Sequence, residues 1–180
     1  LKIDTIQLGK KLPAGQTDLK SKIESMTQTI DETIKSVQHI ATELRPPILD
    51  AFGICEAISW QAKEYQKRHG LQFNLNCLQE HVEIEKSLQT SLFRIFQEAV
   101  TNILRHANAS RVRVCMSYAD KNLTFTIEDN GIGIKKEDLE SSESLGLIGI
   151  KERVYPWDGQ IDFEGSPEKG TIVTITIPLK

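Results

Sequence analysis

An amphipathic helix followed at once by two alternating strands, over residues 86–128, limits the fold more than any other stretch of the chain. In the helix, predicted over 86–107, Leu92, Ile95, Phe96, Ala99, Val100, Ile103 and Ala107 share an arc that a sheet can bury. At 100° per residue, Arg105, Glu98, Asn102 and His106 fall on the adjacent arc, within roughly 100°. The strands are predicted over 112–117 and 123–128. Asp129-Asn130-Gly131-Ile132-Gly133 follows the second one directly.

The flanking segments extend this pattern. Residues 1–12 read as the end of a helix that Pro13-Ala14-Gly15 breaks. From 18 to 44 the apolar positions Leu19, Ile23, Met26, Ile30, Ile34, Val37, Ala41 and Leu44 recur in steps of three and four, a heptad-like stripe. That stripe fits an amphipathic helix on its own core, or a helical hairpin that pairs with a second copy. Pro46-Pro47 ends it. A further helix is expected over about 50–69 with Gly70 as its C-terminal cap, then a strand over 71–75. Residues 134–145 are polar, 147–155 form a short helix stopped by Pro156, and 161–164 and 171–177 alternate as strands. Helices mixed with strands near hairpin spacing predict an α/β two-layer sandwich, a mixed sheet with helices on one face. Part of an antiparallel helical hairpin precedes it, which divides the chain into residues 1–47 and 48–180.

Composition removes several functions. A net charge of −3 leaves no basic excess for a nucleic-acid backbone or an anionic membrane. No apolar run approaches a membrane span and no signal peptide opens the chain, so this segment is expected to be cytoplasmic, without direct membrane contact. That leaves open a membrane anchor elsewhere in a longer parent, and a start at Leu1 reads as a piece of one. Cys55, Cys77 and Cys115 lack any C-x-x-C pairing, which predicts reduced thiols with neither a disulfide framework nor a zinc site.

The helix edge and the Asp129 loop each support two readings. A row of carboxylate, amide and nitrogen groups is what any solvated helix edge offers. It also suits a Mg²⁺ ion, which takes oxygen ligands and shares itself with substrate phosphates. One amide oxygen from Asn102 would serve the ion, and Arg105 and His106 could meet phosphate oxygens. Asp-Asn-Gly is a common hairpin turn. Here a long polar stretch, not a strand, follows Ile134, so Asp129 can instead accept from an adenine amine at the sheet's end. Gly131 and Gly133 would then let the backbone approach the base. Ser144-Leu145-Gly146-Leu147-Ile148-Gly149 opens a helix whose first amides could face phosphates.

Taken together, Phe96-Gln97-Glu98-Ala99-Val100-Thr101-Asn102, Asp129-x-Gly131-x-Gly133, Gly146-x-x-Gly149 and Gly170-Thr171 resemble the nucleotide boxes of the gyrase/chaperone/histidine-kinase/mismatch-repair ATPase superfamily. Leu44-Arg45-Pro46-Pro47-Ile48-Leu49-Asp50 resembles the end of the dimerisation hairpin in sensor histidine kinases of the nitrate-sensor and membrane-fluidity-sensor type. Gly146-Leu147-Ile148-Gly149-Ile150-Lys151-Glu152-Arg153-Val154 resembles their lid and lid helix.

The resemblance implies ATP and Mg²⁺ as ligands. Asn102 would hold the metal, Asp129 the adenine, and Glu98 would polarise a water or nucleophile. Arg105 and His106 would lie near the phosphates. Gly131, Gly133, Gly146, Leu147 and Gly149 would shape pocket and lid, and Thr171 would sit at the adenine end. Ser144 stands where many relatives have a first lid glycine. The expected reaction moves the ATP γ-phosphoryl to a histidine on the hairpin, for relay to a response regulator receiver domain, within a homodimer formed through the hairpin. The phosphoacceptor pattern, His followed by Asp or Glu, is absent: His39, His69, His81 and His106 precede Ile, Gly, Val and Ala. Rival readings are a serine-directed anti-sigma-type kinase of the same superfamily and a non-catalytic nucleotide-binding dimerisation module.

Overall fold

The computed structural model describes residues 5, 19–23, 25–30, 47–78, 82–134, 145–166 and 169–179. The chain divides into two compact units, Leu1–Pro47 and Ile48–Lys180. In the first unit the described residues are helical, and Leu19 and Met26 of the predicted stripe are exposed. Ile23 and Ile30 of the stripe are half-buried, and the rest of it, with His39 and residues 44–46, lies outside the described residues, as do His81 and Ser144.

The second unit opens with helix α1 (Pro47–His69), which buries Leu49, Ile54, Ala57, Ile58 and Ala62. It begins earlier than expected because it is two helical pieces joined at Gly53, whose φ of 82° and ψ of −177° are not helical. Only glycine adopts that corner without strain. Gly70 ends the helix with φ 71° and an N–H donated to the Gln66 carbonyl at 3.0 Å, the expected left-handed cap. Strand β1 (Gln72–Asn76) follows, then helix α2 (Lys86–Asn102). Leu88, Leu92, Phe93, Ile95, Phe96, Ala99 and Val100 of α2 are buried at the spacing of one broad helix stripe. The predicted α-helix does not run on to Ala107: Ile103–Ala107 form a π turn, closed by Asn108 in the left-handed conformation.

Strands β2 (Arg111–Ala119) and β3 (Asn122–Asp129) form a hairpin whose turn residues, Asp120 and Lys121, both have positive φ. That is the turn class whose twist matches paired strands. Helix α3 (Leu145–Val154) leads through a 3₁₀ turn (Tyr155–Trp157) containing Pro156 to strands β4 (Gln160–Ser166) and β5 (Gly170–Pro178). The Trp157 indole N–H donates to Ser91 Oγ at 3.3 Å and ties this turn to α2, whereas Trp60 is exposed.

The sheet order is β1-β2-β3-β5-β4, with β1–β2 parallel and the other pairs antiparallel. The parallel pair follows from placing α2 between its strands, since a parallel return needs a crossover. One sheet face presents Val112, Val114, Met116, Leu123, Phe125, Ile127, Val173, Ile175 and Ile177 to the core that α1, α2 and α3 complete. The alternate positions, among them Arg111, Arg113, Thr124, Thr126, Thr174 and Thr176, are polar and at least partly exposed. This is the predicted two-layer α/β sandwich with a mixed sheet.

Candidate functional site

The expected helix edge exists, and the π turn is part of it. Glu98 and Asn102 from α2, with Arg105 and His106 from the turn, line one cavity of about 640 Å³. A π turn takes in one more residue than an α turn and recurs at functional sites. Glu98 and Asn102 are half-buried, Arg105 and His106 exposed. Among the described residues none of the four side chains has a hydrogen-bond or ion-pair partner.

Asp129, at the end of β3, is the opposite case. It is 4% exposed and still lines the cavity. Its Oδ1 accepts the Gly131 N–H at 2.7 Å, and the N–H and hydroxyl of nearby Thr171 favour the charged carboxylate. Burial pushes the carboxyl pKa up from the ordinary aspartate value, and these three donors oppose that shift only in part.

The Asp129-Asn130-Gly131 sequence is not a hairpin turn. Asn130 Oδ1 accepts the backbone N–H groups of Ser110 (3.0 Å) and Arg111 (2.8 Å), and its amide donates to Ser110 Oγ at 3.0 Å. The Asn130 N–H donates to the Arg111 carbonyl at 3.2 Å, and the Ile132 N–H to the Ala107 carbonyl at 2.8 Å. The loop is thereby sewn to the π turn and to the start of β2.

Gly131 serves this seam rather than a ligand. A Cβ there would stand 2.2 Å from the Ala107 carbonyl oxygen, and Gly131 does not line the cavity. Gly170 is similar, with φ 82° and a would-be Cβ 1.9 Å from the Asp129 carbonyl oxygen. Gly133, with φ 79°, does line the cavity.

Helix α3 closes the remaining side. Gly146 and Leu147 line the cavity with Ile150, and a Cβ on Gly146 would fall 2.6 Å from Glu98 Oε1 and 3.1 Å from Asn102 Oδ1. Asn102 Nδ2 would lie 2.9 Å from the same atom, so the Glu98 carboxylate and the Asn102 amide sit side by side against Gly146. A carboxylate and an amide oxygen are hard donors of the kind Mg²⁺ accepts while keeping its waters, so this pair fits the implied ion. Gly149 is outside the lining, and its carbonyl accepts from the Arg153 guanidinium. Residues 135–144, the expected polar lid stretch, are outside the described residues.

The walls between the two ends are apolar: Ile127, Ile132, Ile134, Ile150, Phe163 and Val173. Such a slot, a few hundred Å³ with polar groups only at its ends, suits a flat heterocycle carrying a charged tail. Sequence reasoning assigned none of these residues to the site. The signal available was the alternation of Gly131-Ile132-Gly133-Ile134, and Phe163 faces Val173 in the β4–β5 register.

Comparison with known proteins bears on the same region. The model of the family described as "Histidine kinase-, DNA gyrase B-, and HSP90-like ATPase" matches residues 87–180. The oxygen sensor histidine kinase NreB of Staphylococcus carnosus is 29% identical over 163 residues, covering 90% of this chain and 46% of that protein. The sensor histidine kinase ComP of Bacillus subtilis is 31% identical, over 90% of this chain and 21% of its own length. The chain thus spans less than half of either relative.

Among solved structures, the histidine kinase domain of the Erythrobacter litoralis EL346 blue-light activated histidine kinase superposes with a TM-score of 0.61 at 17% identity, covering 99% of this chain and 92% of that one. The Acinetobacter baumannii histidine kinase AdeS gives 0.59 at 16%, with the same coverage. At those identities the likeness is one of fold.

Proposed function

The chain belongs to the histidine kinase-, DNA gyrase B- and HSP90-like ATPase family, and from that premise we propose that residues 48–180 bind ATP with Mg²⁺ as the catalytic domain of a sensor histidine kinase. The observation that carries this reading is a single cavity with two unlike ends: a buried, oriented carboxylate at Asp129 and a polar row at Glu98, Asn102, Arg105 and His106 that has no partner among the described residues.

Adenine enters the apolar slot and donates its exocyclic amine to the Asp129 carboxylate, whose other lone pairs Gly131 and Thr171 already orient. The triphosphate then lies toward α2, within reach of Arg105 and His106. Asn102 Oδ1 would hold the metal ion, with Glu98 beside it. When bound, the ion neutralises phosphate charge; catalysis otherwise rests on positioning. Glu98 is placed to polarise the incoming nucleophile. Gly146 and Leu147 cover this end and keep water from the terminal phosphate.

In a longer parent the γ-phosphoryl would pass to a histidine nitrogen on a helical hairpin, of which residues 1–47 are part, and then to a receiver domain. The exposed Leu19 and Met26 suit pairing with a second copy, which gives the homodimer. Since none of the four histidines precedes an acid, this chain binds ATP without phosphorylating itself. Transfer inside the cell places the unit in the cytoplasm, and among the described residues no helix is long and apolar enough to cross a membrane.

Calorimetric titration with ATP, with and without Mg²⁺, tests the reading. Metal-enhanced binding that Asp129→Asn weakens is expected. Absence of binding at millimolar ATP would leave a non-catalytic scaffold.

A further inference from the structure

One aromatic side chain of the cavity wall has a cation resting over it. Phe163 is half-buried in β4, an edge strand of the sheet. Its register partner Val173 points into the core, so Phe163 projects to the same side, toward the helices. There it lines the cavity. Gly165 is two residues further along the same face of β4. A Cβ on Gly165 would stand 2.6 Å from Ile134 Cγ2 and 2.9 Å from the Ile134 carbonyl oxygen. The missing side chain thus lets Ile134, another lining residue, take the next place on that face.

The cation comes from helix α3. Ile150 and Val154, four residues apart, are buried and fix which way that helix faces. Leu147 and Lys151 are also four apart, so they share one flank, about 6 Å from each other along the axis. Leu147 lines the cavity and Lys151 does not. One turn beyond the cavity, the Lys151 ammonium stands over the Phe163 ring, 5.9 Å from its centroid. At that distance the electron-rich face of the ring attracts the charge. A side chain on an edge strand is packed from fewer sides than one in mid-sheet, and the ammonium supplies a further constraint on how the ring lies.

We propose that the Phe163 ring is the surface on which a purine base packs, and that Lys151 is a positioning residue that holds the ring from outside the cavity. This inference rests on the nucleotide reading and extends it to residues that reading leaves without a task. A flat heterocycle that donates to Asp129 turns its faces to the slot walls. Among the described lining residues, Phe163 supplies the only Phe, Tyr or Trp ring. Stacking on such a ring rewards overlap, so a two-ring base gains more than a one-ring base. Lys151 belongs to the same helix as Gly146 and Leu147, which cover the phosphate end. Displacement of α3 from the sheet takes the ammonium off the ring, and this links the seating of the base to the placement of the helix over the phosphates.

The test titrates Mg²⁺-ATP by calorimetry into the 180-residue chain, Phe163→Leu, Lys151→Met, Lys151→Arg and the Phe163→Leu/Lys151→Met double variant. Leucine and methionine keep apolar bulk, and thermal melting checks that each variant is folded. Phe163→Leu should weaken ATP about fivefold, the low end for loss of a base–aromatic stack, and leave the factor by which Mg²⁺ enhances binding unchanged. CTP also carries an exocyclic amine but only one ring, so the preference for ATP over CTP should shrink in the same variant. Lys151→Met should weaken ATP about two- to fivefold, Lys151→Arg should restore it, and Lys151→Met should cost nothing further once Phe163 is leucine. Unchanged ATP affinity or an unchanged ATP-to-CTP ratio in Phe163→Leu would overturn the proposal. So would an equal Lys151→Met loss in both backgrounds, which would put Lys151 on the phosphates instead. No ATP binding by the parent chain would be a separate failure, that of the nucleotide reading itself.

Discussion

The two ends of the cavity are built on opposite principles. At the Asp129 end every polar group is already engaged: the carboxylate by Gly131 and Thr171, the neighbouring Asn130 by Ser110 and Arg111, the loop by Ala107. At the α2 end Glu98, Asn102, Arg105 and His106 have no partners among the described residues. A prepaid set of hydrogen bonds fixes one acceptor and gives selectivity for what it recognises. A loose polar row costs little to reorganise and suits a ligand that brings its own charge and metal. Mutation in the seam behind the first end should therefore damage stability, and mutation of the row at the second should damage ligand binding.

The largest expected effect lies in the seam. Gly131→Ala would put a Cβ 2.2 Å from a backbone carbonyl that cannot rotate away. Destabilisation of about 3 kcal/mol, the upper part of the range for overpacking, should appear in chemical denaturation. A variant as stable as the parent would show that the seam yields.

Asp129→Asn should separate the two properties. ATP affinity is expected to fall by about 1–3 kcal/mol, the cost of an unsuited buried partner, and unchanged affinity would refute the adenine assignment. Stability should hardly move. Because burial raises the Asp129 pKa, its ionised form is penalised in the fold, fully so above the folded pKa and not at all below the unfolded one. The neutral amide removes that penalty while making weaker hydrogen bonds. The same shift predicts that ATP affinity declines in acid, beginning at a higher pH than an ordinary aspartate would set. An affinity flat down to the usual aspartate range, in a pH series of calorimetric titrations, would remove Asp129 from the binding step.

Asn102→Ala should abolish the Mg²⁺-dependent part of ATP binding and leave the metal-free part. Full metal dependence in the mutant would assign the ion to another group. The smallest stability effect belongs to Gly146→Ala. Its Cβ meets side-chain atoms of Glu98 and Asn102, which can swing aside, so thermal melting should shift little while Mg²⁺-dependent binding weakens. A melting loss as large as that of Gly131→Ala would erase the contrast between the two ends.

Periodicity made most of the fold legible. The burial of α2 from Leu88 to Val100, the alternation of β2 and β3, and the Gly70 cap are local patterns that a chain displays before it folds. Asn102, Arg105, His106, Asp129, Gly133, Gly146, Leu147, Glu98 and Thr171 do meet in one cavity. Long-range facts were not legible. Nothing local marks the Gly53 corner, the π turn, or the positive φ at Asp120 and Lys121, all fixed by packing. The Gly131–Ala107 seam was hidden for the same reason: Ala107 is distant in sequence and arrives only with the tertiary fold.

The π turn at Ile103–Ala107 also sets a length rule. Relative to a regular helix it carries one surplus residue, and that residue acts as a spacer. Removing any one of the five would let the helix run on as a plain α-helix, about 1.5 Å shorter and about 100° out of phase beyond the cut. The Ala107 carbonyl, which receives Ile132 and abuts Gly131, would then point elsewhere. The residue count of this segment is therefore constrained apart from its side chains, and a natural or designed variant one residue shorter here would lose the alignment between its two binding ends before it lost its helix.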